Sequence, residues 1–494
     1  MNYSILFSAL LTTPDSANPS PVTDLLRPHL QQLGQLLDSF GSRPITPAAT
    51  RDFETQLQAR LRQLGLDLCD WTFNHLEPDD RSQVPLRLND DGERFRCRQR
   101  SPNQLATLFG SFTLRRYLYE DLEPGNPCLF PLEKQLGVVA GAATPALAER
   151  AAWWLAQSPQ GSTLRTLARD HQVKWSPDTL RQVTAAVAAG LEQQRPAAQA
   201  EKLLSWLSQA EQSRGRYRPS LVTGRDGIHL PMRQGVYREG ATATLSVYNR
   251  RGQRLGTVYL GRMPEAGQGT LSEQLTALLA EVLRRWQGPV PRLAYVTDKG
   301  SHPVAYYRTV LSRLSHPRTG ERLVWQRISD YYHAASYVQQ LAEALFGDSK
   351  QGRQWSRRMR RRLKEKDGLK RVLQSATMHA AQRGLSGRRG QDFRKAYRYL
   401  RRHGPWLRYW QYQRRGLPLG SGVTEAACKT VFTQRLKQSG MRWEVSSGQV
   451  VVTLRVLLLS GVWETVVAKW LDSQQFPTRG VQHLSEREVL EKAA

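Results

Sequence analysis

From about residue 217 the apolar spacing changes from helical to alternating, and this switch constrains the fold more than any other feature. Pro219-Ser220-Leu221-Val222-Thr223-Gly224-Arg225-Asp226-Gly227 reads as a strand running into a turn. Thr242 to Tyr248 and Leu255 to Leu260 are two further strands, joined by the hairpin signal Asn249-Arg250-Arg251-Gly252. An amphipathic helix over 270–286 follows, built on Leu271, Leu275, Leu278, Leu279, Val282 and Leu283. Next come a short apolar strand, Leu293 to Asp298, a helix near 302–314, a fifth strand, Leu323 to Ile328, and a helix over about 331–346. A meander of three strands followed by β-α-β crossovers predicts an α/β core: a mixed sheet with helices on both faces.

That element order is the order of an RNase H-like core, expected here over 217–349. Residues 1–93 show helical spacing (Leu57, Leu61, Leu64) broken by Pro- and Asp-rich stretches, and read as a mainly helical N-terminal region. Residues 94–131 read as a small strand-rich segment, hairpin-like around Gly110, with a linker marked by Pro124, Pro127 and Pro131. Residues 132–200 read as short helices. One opens at Gly161-Ser162-Thr163; the next opens at Ser176-Pro177-Asp178, with Ser176 as N-cap and Pro177 in the first helical position. Two helices across a brief turn, the second carrying Arg181, fit a helix-turn-helix DNA reader and equally a plain helical hairpin. Downstream, 350–415 is a basic helical insertion. Residues 416–470 hold the final helices, one from Val423 to about Gln438, and 471–494 form a tail.

Lysine and arginine number 71 against 43 aspartate and glutamate, a net charge of +28 on 494 residues. Such a charge opposes compaction unless a polyanion screens it, which makes nucleic acid the expected partner. The excess is local. Residues 350–415 hold 22 Lys and Arg against 3 Asp and Glu, so +19 lies there and +9 in the other 428 residues. Arginine suits bidentate phosphate contacts, and Arg357, Arg358, Arg361, Arg362, Arg388, Arg389, Arg401 and Arg402 are candidates for them. Among them stand Trp355, Tyr397, Tyr399, Trp406, Tyr409, Trp410 and Tyr412, suited either to distorted DNA ends or to a small core.

Composition also excludes. With 13 Trp, 17 Tyr and 12 Phe the chain is not a disordered basic tail. Cys69, Cys97, Cys128 and Cys428 include no C-x-x-C pair, which argues against a zinc ribbon or disulfide framework and fits a reducing cytoplasm. Met1 to Leu11 lacks a basic n-region and a cleavage site, so a signal peptide is not expected. The apolar run Val450 to Trp463 is interrupted by Arg455 and falls short of the roughly 20 residues of a membrane span. No membrane association is expected.

Three acids stand where such a core can use them. Asp226 is placed at the end of the first strand, Asp298 at the end of the fourth, and Glu425 in the first turn of the helix after the insertion. If the first and fourth strands are neighbours, the two aspartates lie side by side, and a divalent cation is the usual way to keep both ionised. Mg²⁺ or Mn²⁺ suits an all-oxygen site, and two such ions serve phosphoryl transfer. Each acid also has a plainer role: Asp226-Gly227 and Asp298-Lys299-Gly300 as turns, Glu425 as a complement to the helix dipole. Asp330 is a competing second acid, although alone it is an apt N-cap, with His333 a core histidine.

The string Gly420-Ser421-Gly422-Val423-Thr424-Glu425-Ala426-Ala427-Cys428-Lys429, continued by Arg435-Leu436-Lys437-Gln438-Ser439-Gly440-Met441-Arg442-Trp443, resembles bacterial DDE-type insertion-sequence transposases, specifically the Kra-type group and its mutator-like relatives. Asp226-Gly227 resembles the family's first acid and Val296-Thr297-Asp298-Lys299-Gly300 its second. Asp330-Tyr331-Tyr332-His333 resembles a D-x-x-H signature found beside the triad, which favours Asp298 as the ligand. The likeness runs over roughly 95–470. It implies a transposase in which Asp226, Asp298 and Glu425 hold two Mg²⁺ or Mn²⁺ ions. It also implies contacts of Arg435, Lys437, Arg442 and Trp443 with duplex DNA, both element ends and target. A homodimer or higher synaptic assembly in the bacterial cytoplasm, on the nucleoid when DNA-bound, is implied as well. Members often carry paired upstream cysteines; only Cys97 and Cys128 stand there, so no zinc is expected. A structure-specific nuclease on the same scaffold and an inactive DNA-binding descendant are the alternatives.

Overall fold

A computed structural model describes residues 21–90, 93–122, 128–298, 300–473 and 482–483. The expectations at Met1 to Leu11, Pro124, Pro127 and Lys299, and over most of the 471–494 tail, lie outside the described residues. The chain divides into two compact units, Met1–Val187 with Lys469–Ala494, and Ala188–Ala468.

The first unit opens with α1 (Pro21–Gly41) and α2 (Pro47–Asn74). Thr46 caps α2 by accepting the Ala49 N–H at 3.1 Å, with Pro47 in the first turn where no N–H is needed. A short strand, β1 (Arg87–Asp90), then interrupts the stretch expected to be helical; four residues are too few to leave a period. β2 (Glu93–Thr107) and β3 (Gly110–Asp121) form the expected antiparallel hairpin, closed at Thr107 opposite Gly110. Gly110, at φ 141, takes the turn conformation that a side chain disfavours. Leu105, Phe112 and Leu114 of the hairpin pack against Leu66 and Phe73 of α2.

Four helices follow: α3 (Pro131–Leu136), α4 (Pro145–Gln157), α5 (Gln160–His171) and α6 (Pro177–Gln212). Ser176 caps α6 as expected, its Oγ accepting the Thr179 N–H at 3.0 Å. Arg181 is exposed in the first turn of α6, ion-paired with Asp178. The helix does not end near 200. It continues through Pro196, and Ala200, Leu203, Leu207 and Ala210 enter the core of the second unit at helical spacing. Pro196 masks that period in the sequence.

The second unit contains β4 (Ser220–Pro231), β5 (Tyr237–Tyr248), β6 (Arg254–Arg262), α7 (Gly269–Arg285), β7 (Arg292–Thr297), α8 (Ser301–Thr309), β8 (Trp325–Ser329) and α9 (Tyr331–Phe346). Its five strands are ordered β6-β5-β4-β7-β8. β4, β5 and β6 pair antiparallel, while β7 and β8 run parallel to β4. The period of two along each strand sorts side chains between two cores. Leu221, Leu293 and Tyr295 pack with α6, α7 and α8 on one face; Val222, Ala294 and Val296 pack with α9 on the other.

The basic insertion completes that second core. It forms α10 (Lys350–Arg362), α11 (Gly368–Arg383), α12 (Gly387–His403) and α13 (Tyr409–Arg414). Trp355, Met359, Val372, Ala376, Leu400, Tyr409 and Tyr412 are buried there beside α9. Each of the larger of these side chains contributes about 1.5–3 kcal/mol. Screened repulsion between exposed arginines costs under about 1 kcal/mol per pair, so the segment folds despite its charge.

The chain then forms α14 (Gly422–Ala427), a π-helical stretch (Cys428–Thr433), one more α-turn (Gln434–Leu436), and finally α15 (Val445–Leu459) and α16 (Trp463–Ser473). The helix expected to run unbroken to about Gln438 is therefore interrupted by a π segment. α15 is buried along β6. Among the described residues no single helix is long and apolar enough to cross a membrane, and α15 and α16 are bent by 115°.

Candidate active site

Asp226 is not at the end of its strand. β4 continues five residues further, and Asp226 pairs with Thr242 of β5. What ends is the parallel pairing with β7, whose last rung is Thr223 opposite Tyr295. Asp226 thus stands where β4 loses its parallel neighbour, and Asp298 follows the last residue of β7. By the alternation of side chains both lie on the face of Val222 and Val296, the face that α9 covers.

Glu425 reaches this place through α14. A side chain at Gly224 would put its Cβ 2.2 Å from Thr424 Oγ1 and 2.8 Å from the Val296 carbonyl, so the glycine is what lets α14 lie on β4. Thr424 Oγ1 also meets Thr244 Oγ1 of β5 at 2.9 Å. Two neighbouring strands therefore hold the turn that carries Glu425.

Asp330 has a different task. It is buried, and both carboxylate oxygens are occupied: Oδ1 accepts the His333 N–H at 2.7 Å, and Oδ2 accepts the Ser421 N–H and, at 2.9 Å, the Ser421 hydroxyl. The same hydroxyl lies 2.6 Å from Glu425 Oε1. Beside it, the Tyr331 N–H donates to the Leu419 carbonyl at 2.9 Å. The start of α9 is thereby tied to the segment that leads into α14, and Asp330 orients Ser421, which in turn touches Glu425. With its oxygens taken, Asp330 fits the alternative role of second acid poorly. His333 is exposed rather than in the core, with its ring near Tyr337 and Tyr399.

The three acids share a field. Asp226 is pushed up to about 6, mainly by burial, with further upward contributions from Asp298 and Glu425; hydrogen bonds from the Gly227 N–H and the Cys428 thiol oppose the shift. Cys428 is itself buried, its thiol held well above the ordinary range by burial and by Asp226. Glu239 of β5 also contributes to the Cys428 shift, but by alternation it stands on the opposite face of the sheet, where Gln268 donates to it at 3.4 Å and its carboxylate fills the space of a Cβ on Gly227. Sequence reasoning assigned no role to either residue. Cys428 stands three residues after Glu425 on the same helical face, a spacing that could have flagged it; Glu239 leaves no such signal.

Among the described residues, no three His, Cys, Asp or Glu side chains lie close enough as placed to enclose a metal ion. The donor chemistry nevertheless fits a hard divalent cation. The donors are carboxylate oxygens, and Asp226 carries the ionisation penalty that a neighbouring cation relieves.

No known protein family and no curated protein matches this chain.

The candidate DNA contacts divide by exposure. Arg357, Arg358, Arg361, Arg388, Arg389, Arg401, Arg402, Lys437 and Arg442 are exposed, and Arg362 is half-buried. Arg435 is a correction: it is 1% exposed, its guanidinium lowered to about 10 by burial, and it lies over the Trp443 ring at 5.5 Å. A side chain inside the fold does not reach a phosphate. Trp443 is also structural, since its indole N–H donates to the Leu436 carbonyl at 2.7 Å and its backbone bonds Pro231 and Arg233. Of the insertion's aromatics, Trp355, Tyr409 and Tyr412 are buried in the core, Tyr397 and Tyr399 pack at its margin, and Trp406 and Trp410 are half-buried.

Asp226 has a consequence for stability. Its folded pKa lies above its ordinary value of 3.8, so the folded chain holds this proton more tightly than the unfolded chain. The resulting destabilisation is absent below about pH 4, grows as the carboxyl ionises, and is complete above about pH 6. Asp226→Asn is therefore expected to stabilise the chelator-treated protein by about 1–3 kcal/mol at pH 7.5, and by almost nothing at pH 4. Thermal melts at both pH values test this; an equal gain at both contradicts a half-buried carboxylate held above its ordinary value.

Proposed function

We propose that the chain is a DNA transposase of an insertion sequence, cutting and joining phosphodiesters at Asp226, Asp298 and Glu425. One observation carries this reading. Three acids from positions up to 199 residues apart in the chain converge at the end of the β4–β7 pairing, where Asp226 is held up to about 6 mainly by burial, with smaller contributions from Asp298 and Glu425. The strand order β6-β5-β4-β7-β8, antiparallel then parallel, supports an RNase H-like core. The exposed arginines of the insertion support duplex DNA as the partner, and Arg181 on α6 supports a helix-turn-helix contribution. Two element ends must be held at once, which favours a homodimer or larger synaptic assembly on the bacterial nucleoid.

Two Mg²⁺ or Mn²⁺ ions held by the three carboxylates would activate the attacking oxygen and stabilise the leaving one. The chain's own contribution is placement. β4 and β7 present the two aspartates from adjacent strands. Thr244 pins α14, and Ser421, oriented by Asp330, steadies Glu425. Hydrolysis at an element end leaves a 3′-hydroxyl, which then attacks a target phosphodiester; both displacements depend on positioning and need no covalent enzyme intermediate.

The test uses labelled duplexes taken from the DNA flanking the coding sequence, a target plasmid and Mg²⁺. Joined strand-transfer products are expected. Cleavage without joining identifies a structure-specific nuclease instead, and binding without cleavage an inactive descendant.

A further inference from the structure

At the far end of β4 and β5 from the carboxylates, an open cleft of about 610 Å³ lies between the approach to β4, the β5–β6 turn and the segment after α13. Arg216, Arg251 and Arg414 line it with the rings of Tyr217, Tyr248 and Trp410, and none of the described lining residues is acidic. The three arginines are exposed, and two lie against aromatic faces: Arg414 over Trp410 at 4.9 Å and Arg216 over Tyr217 at 5.0 Å. Tyr248 is buried and forms the floor, while Tyr217 and Trp410 are half-buried.

Three cations without an acid among them favour an anion, and half-exposed rings favour a planar group. A ligand with both, in a space of this size, is a nucleotide. In an intact duplex neighbouring base pairs cover the base faces, so only an unstacked base meets a ring. From Tyr248 to Thr242, the partner of Asp226, is six residues of β5, roughly 20 Å or about six nucleotides of stacked strand.

We propose that this cleft takes one unstacked nucleotide of a DNA strand, its base against Trp410 and its phosphate on Arg216, Arg251 and Arg414. Its placement some six nucleotides from the scissile phosphodiester rests on the transposase reading; the nucleotide site itself does not.

The experiment measures binding of the full chain to a labelled single-stranded 12-mer and to the same sequence as a duplex. The variants are Trp410→Leu, Trp410→Phe and the triple variant R216Q/R251Q/R414Q. Trp410→Leu is expected to weaken single-strand binding roughly tenfold and duplex binding less than twofold, while Trp410→Phe retains most of the affinity. The triple variant is expected to reduce the magnitude of the single-strand salt slope by about 2. Displacement of the 12-mer by dAMP identifies a free nucleotide as a ligand of the same site; no displacement, with the variant losses present, identifies the strand. Unchanged single-strand affinity in a Trp410→Leu protein of normal melting temperature overturns the proposal, as do equal losses on single strand and duplex. Asp226→Ala separates the two readings, since it removes cleavage and leaves the Trp410 effect untouched.

Discussion

Alanine in place of Asp226 or Glu425 is expected to lower metal-dependent cleavage by at least about 10³-fold, equivalent to about 4 kcal/mol of transition-state stabilisation, while duplex binding changes less than about threefold. The separation follows from geometry. Both carboxylates sit at the end of the β4–β7 pairing, whereas the exposed arginines lie on the insertion helices. Neither substitution removes a core side chain: Glu425 is exposed and Asp226 half-buried. Cleavage assays on labelled duplexes, with binding measured on the same preparations, provide the comparison. Full cleavage retained by both variants excludes these residues as ligands, and parallel loss of binding indicates unfolding or a role in DNA contact. Asp330→Asn provides a contrast: it disturbs Ser421 and the tie between the start of α9 and the segment before α14, so it should lower melting temperature as well as rate.

Salt provides the second large effect. If the insertion clamps duplex phosphates through some six to ten contacts, affinity should fall about 10³–10⁵-fold between 50 and 200 mM salt. Arg357, Arg358 and Arg361 lie on the exposed side of α10, opposite the buried Trp355 and Met359. Replacing all three by glutamine is expected to reduce the magnitude of the log–log slope by about 2–3 without loss of stability. Arg435→Gln should do the reverse, leaving the slope intact and altering stability, because that guanidinium is inside the fold. A slope unchanged by the triple substitution removes the insertion from the DNA path.

The mixed five-stranded sheet was legible because strand periodicity is local: alternation at Leu221/Val222 and at Leu293/Ala294 requires two buried faces whichever helices provide them. The full length of β4 was not legible, since Asp226-Gly227 looks like a turn, and only pairing with Tyr237–Ala241 carries the strand on to Pro231. The π segment at Cys428–Thr433 likewise leaves no period of its own, because one widened turn moves residues by a fraction of the helical repeat.

The same division runs through the candidate site. The chain by itself determined which acids were available, the order of the elements that carry them, and the concentration of +19 in residues 350–415. These properties are fixed by residue identity and short-range spacing. Only the tertiary structure decided that Asp330 spends its carboxylate on Ser421 and His333, that Cys428 donates to Asp226, and that Arg435 points inward while Arg357 and Arg358 point out. Each of those outcomes depends on what stands opposite a side chain after packing, and Asp330 and Ser421 are 91 residues apart in the chain. Burial and hydrogen-bond partnership are properties of that encounter, so no local pattern could have encoded them.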